Sequence, residues 1–143
     1  MGCGANGDLN DFVEDFNQSA RKYDATELLK DEFGEIEEEE GDKWRVLFES
    51  KEYTLEALYD GNDISGYAID VRSDTDSISK SSKGYNAVLT LADTLGINIK
   101  DLEKGMQTAF NENFHSYVDG DYEIRIFVVS VVSTSMTISI EKK

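Results

Sequence analysis

Tyr122–Glu141 reads Y-E-I-R-I-F-V-V-S-V-V-S-T-S-M-T-I-S-I-E, the most apolar and β-branched stretch of the chain. One parity carries Tyr122, Ile124, Ile126 and Val128, then Met136, Ile138 and Ile140. The other carries Glu123 and Arg125, then Thr137, Ser139 and Glu141. An alternation of period two marks strands with one buried face, so this stretch predicts two antiparallel strands. Its middle breaks the rule. Phe127, Val129, Val131 and Val132 put apolar groups of both parities where the chain must reverse, and no Gly, Asn or Asp is there to turn it. Two readings follow. Either this end of the hairpin is covered on both faces, or Phe127, Val129, Val131 and Val132 form an exposed patch for a partner or a membrane surface.

Three more strands precede it. Trp44, Val46 and Phe48 alternate with Arg45 and Glu49; Tyr53, Leu55, Ala57 and Tyr59 alternate with Thr54 and Glu56; Tyr67, Ile69 and Val71 form a third row. Asp60-Gly61-Asn62-Asp63 is a tight turn, and short links predict an antiparallel meander. Phe33–Glu39 reads as a weak strand able to extend it. Leu9, Phe12, Val13, Phe16, Ala20 and Tyr23 form one helical stripe, which predicts a helix over 8–23 with Asp8 as its cap. Thr26–Leu29 reads as a short helical turn after it.

Val88, Leu91, Ala92 and Leu95 form a second stripe that Gly96 ends. Leu102, Met106, Ala109 and Phe110 form a third, with Asn98 as its N-cap. The predicted order is α-β-β-β-α-α-β-β. It defines an α+β domain with an antiparallel sheet of about five strands and helices on one face.

The chain has 143 residues and no proline, with 30 acidic against 14 basic side chains for a net charge of −16. That length fits one domain, residues 8–143, behind a lead of residues 1–7. The charge repels nucleic acid and favours cations or basic partners. Leu91–Gly105, L-A-D-T-L-G-I-N-I-K-D-L-E-K-G, resembles the helix-turn-helix of small bacterial repressors. Its helices are acidic on balance, however, where a recognition helix needs Arg or Lys, so the segment reads as a helical corner packed on the sheet.

Chemistry-bearing motifs are sparse. His115 is the single histidine and has no adjoining nucleophile motif. Glu35–Glu40 reads as a solvated charge run rather than a metal site. No catalytic residue, metal site or cofactor follows from these patterns.

Cys3 lies between Gly2 and Gly4-Ala5 in a small-residue lead. That setting resembles the junction at which bacterial lipoproteins are lipidated on cysteine, which implies a preceding basic and apolar segment that has been removed. Met1-Gly2-Cys3 also allows dual acylation, although Asn6 stands where that motif has Ser or Thr, and Cys3 as an ordinary thiol stays open. With its size and layout, the chain resembles small surface lipoproteins of Gram-positive bacteria. The resemblance implies a lipid anchor at Cys3, a place on the extracytoplasmic side of the cell membrane, and a domain that binds an unspecified protein or surface ligand. The alternatives are a hydrolase-type enzyme using surface carboxylates and a soluble intracellular protein.

Overall fold

The computed structural model describes residues 3–30 and 33–143, the side chains of residues 3–8 excepted. In chain order it has α1 (Cys3–Tyr23), β1 (Glu37–Glu39), β2 (Asp42–Glu49), β3 (Tyr53–Asp60), β4 (Asp63–Ser73), α2 (Lys83–Leu95), α3 (Ile99–Glu112), β5 (Phe114–Asp119), β6 (Tyr122–Ser130) and β7 (Thr134–Lys142). The strands form one antiparallel sheet in the spatial order β1-β2-β3-β4-β7-β6-β5. The helices lie against its inner face. The class is the α+β one expected, but the sheet has seven strands rather than about five.

The two additional strands have plain causes. Glu40 and Gly41 both take left-handed backbone, at φ 52° and 90°, which is the geometry of a tight hairpin and folds Glu37–Glu39 back onto β2. At the other edge, Asn113 ends α3 at φ 73°. Its carbonyl accepts from the Val128 N–H at 2.9 Å, so the chain leaves the helix already in register with β6. Phe114–Asp119 therefore pairs along its whole length and is not merely a lead-in to the turn at Gly120.

The terminal hairpin sits at the centre of the structure. Ile124, Ile126, Val128, Met136, Ile138 and Ile140 are all buried on the inner face. β7 inserts between β6 and β4, pairing Ile138 with both Ile126 and Ile69. The stripe Leu9, Phe12, Val13, Phe16 and Ala20 is buried as the periodicity predicts. However, α1 begins at Cys3 rather than at Asp8. Met1, Gly2 and the side chain of Cys3, the lipidation candidate, lie outside the described residues. Thr26–Leu29 is not helical. Asn17 holds it alongside α1, accepting from the Leu28 N–H at 2.6 Å and donating to the Leu28 carbonyl at 2.8 Å, which buries Leu28.

β2 departs from strict alternation. A bulge between Val46 and Phe48 places Trp44 and Val46 on the outer face, opposite Leu58 and Glu56, and returns Phe48 to the inner face beside Tyr53. The helical corner has the expected caps. Gly96 takes φ 74°, and the Asn98 side chain accepts from the Asp101 N–H at 2.9 Å.

Candidate functional site

Among the described residues no helix lies on the outer face of the sheet, and the character of that face changes from edge to edge. β1 is three exposed glutamates. Beside it Trp44 and Glu56 line an open depression of about 340 Å³ together with Leu58, Ala68 and Ser139. On β4, the Asp70 carboxylate accepts from Ser135 at 2.9 Å, Thr137 at 3.0 Å and Arg72 at 2.7 Å. Arg72 in turn donates to the Ser50 carbonyl and Thr54. Past this hydroxyl band the surface becomes apolar. Phe127 pairs directly with Phe114 across β5 and β6, their ring centroids 4.7 Å apart. Val129 follows two residues on, and the chain turns through Val131, Val132 and Ser133.

All four sequence-derived patch residues are exposed: Phe127 at 49%, Val129 at 61%, Val131 at 84% and Val132 at 87%. The expectation that this end is covered on both faces fails. The turn forms without Gly, Asn or Asp because its base is anchored from the side. Thr134 donates to the Thr75 carbonyl at 2.8 Å, and Ser130 reaches Thr134 at 3.2 Å. These bonds hold the ends of the loop and leave the valines at its tip in water. Phe114, also exposed on the outer face of β5, extends the patch, and Val118 is exposed further along that strand, beyond the pair Ser116 and Arg125. The alternation of Phe114, Ser116 and Val118 with His115 and Tyr117 is the sequence signal for this strand, masked by the helix just before it.

The strip meets an open edge at one corner, Phe114, the first residue of β5. β5 is the last strand of the sheet, and among the described residues no strand pairs with its outer backbone. Two acidic residues lie next to the strip, Glu112 at the end of α3 and Asp76 beside Ser130, while Arg125, the next outward residue before Phe127, is paired with Glu123 at 3.0 Å.

The groups able to do acid–base chemistry are scattered. His115 lies on the inner face of β5, stacked on Tyr117 at 5.7 Å. Glu56 lies on the outer face of β3, four strands away in the sheet order. Burial, and then the like charges of Asp70, Glu37 and Glu49, raise the Glu56 carboxyl above its usual range. Such crowding penalises the charged form in the folded chain only. Stability associated with Glu56 is therefore complete below the ordinary carboxylate pKa and is lost as pH rises through the raised value. Glu56→Gln should raise the melting temperature at neutral pH, with the gain vanishing in acid. A gain that persists unchanged at low pH would refute this account. Among the described residues no group of three or more His, Cys, Asp or Glu side chains is placed to hold a metal ion, and no helix is long and apolar enough to cross a membrane.

The molecule is thus a helix-backed antiparallel sheet that presents an apolar strip at one corner, from Phe114 at the start of β5 to the β6–β7 turn. No family model, curated protein or solved structure matches the chain.

Proposed function

We propose that this chain is a membrane-tethered extracytoplasmic interaction domain, anchored through Cys3, which engages a protein partner at the β5–β6 edge. The observation that carries the reading is the exposed run Phe114, Phe127, Val129, Val131 and Val132 at the corner where the open edge of β5 begins. A contiguous apolar surface of this kind is characteristic of docking sites. An open edge strand adds backbone hydrogen bonds for an incoming extended segment. The occupant that fits is a polypeptide with an apolar centre and a cationic rim, because Glu112 and Asp76 lie next to the strip. The same acidity, with the net charge of −16, opposes anionic lipid surfaces, nucleic acid and a second copy of the chain. At the opposite edge, the exposed glutamates of β1 discourage strand addition, so the asymmetry favours one docking edge. The small-residue setting of Cys3 supports the tether.

One experiment tests both halves. A photo-crosslinking residue is placed at Val132 or Phe127, and for comparison at Glu38, in the cells that make the protein. The first two positions should yield one adduct of defined mass and Glu38 none. Val131→Asp with Val129→Asp should abolish the adduct without changing the melting temperature by more than about 2 °C, since exposed substitutions are nearly neutral. Cys3→Ala should move the protein out of the membrane fraction. Equal adducts from both edges, or none, would overturn the docking surface. Membrane association that survives Cys3→Ala would overturn the tether.

A further inference from the structure

A second open depression, of about 480 Å³, lies away from the outer face, between the Ser-rich segment after β4 and helices α2 and α3. Its walls are apolar: Ile78 from the loop, Tyr85 from the first turn of α2, and Met106 and Phe110 from α3. Three lysines also line it: Lys80 from the loop and Lys100 and Lys104 from α3. On a chain with 30 acidic and 14 basic side chains, an indifferent hollow should be lined mainly by acid. Here one carboxylate, Glu103, accompanies the three lysines. That carboxylate is engaged, since the Tyr85 hydroxyl donates to it at 2.6 Å. None of the three lysines joins an ion pair among the described residues. Lys100 and Lys104 are one helical turn apart, where like charges repel. Asp101 and Glu103, each three residues from one of them, offset part of that repulsion, and an anion between the lysines would offset more.

We infer that this cavity binds an amphipathic anion, a single apolar chain ending in a carboxylate, with the chain against Ile78, Met106 and Phe110 and the head among Lys80, Lys100 and Lys104. Its volume falls within the roughly 300–1,000 Å³ usual for small-molecule sites. Apart from the lysines and Gln107, its polar groups are Glu103 and the Tyr85 hydroxyl, which are engaged with each other. The site is distinct from the β5–β6 edge, and occupancy of one does not require the other.

Calorimetric titration of the whole chain with octanoate, decanoate and neutral decanamide tests the assignment. Decanoate should bind saturably at one site, tighter than octanoate by roughly tenfold for two more buried methylenes. Decanamide should bind at least about tenfold more weakly, lacking the charge. Lys80→Gln/Lys100→Gln/Lys104→Gln should weaken decanoate by at least about tenfold. All three side chains are exposed, so its melting temperature should match that of the parent. The proposal is overturned if decanoate shows no saturable binding, if decanamide binds as tightly, or if the triple variant retains full affinity.

Discussion

Gly66→Ala should be among the most destabilising single-methyl additions available in this chain, lowering stability by about 3 kcal/mol and the melting temperature by roughly 10 °C. Gly66 sits in the middle of β4, opposite Glu141 of β7 and Leu58 of β3. A Cβ there would collide with the Ile140 carbonyl oxygen and lie 2.7 Å from Glu141 Cα. Both obstacles are backbone, and β7 is hydrogen-bonded on each side, to β4 and to β6, so it cannot withdraw from one partner without straining the other. The loss is therefore of the overpacking kind, not a matter of glycine's backbone freedom. Gly34→Ala is the control. A Cβ at Gly34 meets Val46 only at ordinary contact distance, 3.5 Å, and should change stability by less than about 0.5 kcal/mol. Chemical denaturation of the two variants decides the matter. Equal midpoints would mean that β4 and β7 do not approach as closely as described.

The same residue shows where sequence reading reached its limit. The alternation of Tyr67, Ile69 and Val71 was enough to place a strand and its buried face. Which strand would lie beside it was not legible, because β4 and β7 are separated by two helices and a hairpin, and no local signal records that pairing. The bulge in β2 was hidden for a similar reason. Leu47 breaks the alternation, but only the partner strand shows that Trp44 and Val46 go outward. Helical stripes and caps were read more faithfully, since 3.6-residue periodicity and residues such as Gly96 and Asn98 act over a few positions. At the candidate surface, the sequence identified Phe127, Val129, Val131 and Val132 from their break in parity. It could not choose between burial and exposure, because that depends on side anchoring by Thr75 and Asp76, far earlier in the chain.

The lysine-lined cavity was legible only in fragments. Lys100 and Lys104 share α3, but Lys80 lies about twenty residues earlier in the chain, and no local pattern links it to them. Their meeting depends on the turn at Gly96 between α2 and α3 and on the segment after β4 that brings Ile78 and Lys80 to the same depression. The chain thus carries two surfaces of opposite design. One is an apolar strip rimmed by acid on the bare face of the sheet. The other is an apolar hollow rimmed by lysine among the helices.

Phenylalanine-to-alanine substitution on the two sides of the sheet should separate folding from association. Phe16 is fully buried on α1, and its ring packs against Phe12 at 5.8 Å; Phe12 in turn stacks on Tyr67 of β4 at 3.9 Å. Phe16→Ala removes a ring from the layer between α1 and the sheet and leaves a hole that this closely packed stack can only partly fill. The expected loss is about 3–5 kcal/mol, or roughly 10–20 °C in melting temperature. Phe127 makes one aromatic contact, with Phe114, and its outward side meets solvent. Phe127→Ala should therefore forfeit only about 0.5–1.5 kcal/mol. In return it removes the centre of the strip, and the adduct formed from Val132 should fall at least about tenfold, as for a central aromatic anchor. The pair gives a double dissociation: one variant loses stability, and the other loses its partner while folding nearly as before. If Phe127→Ala instead melts as low as Phe16→Ala, the outer phenylalanine is structural and the β5–β6 edge is not a docking surface.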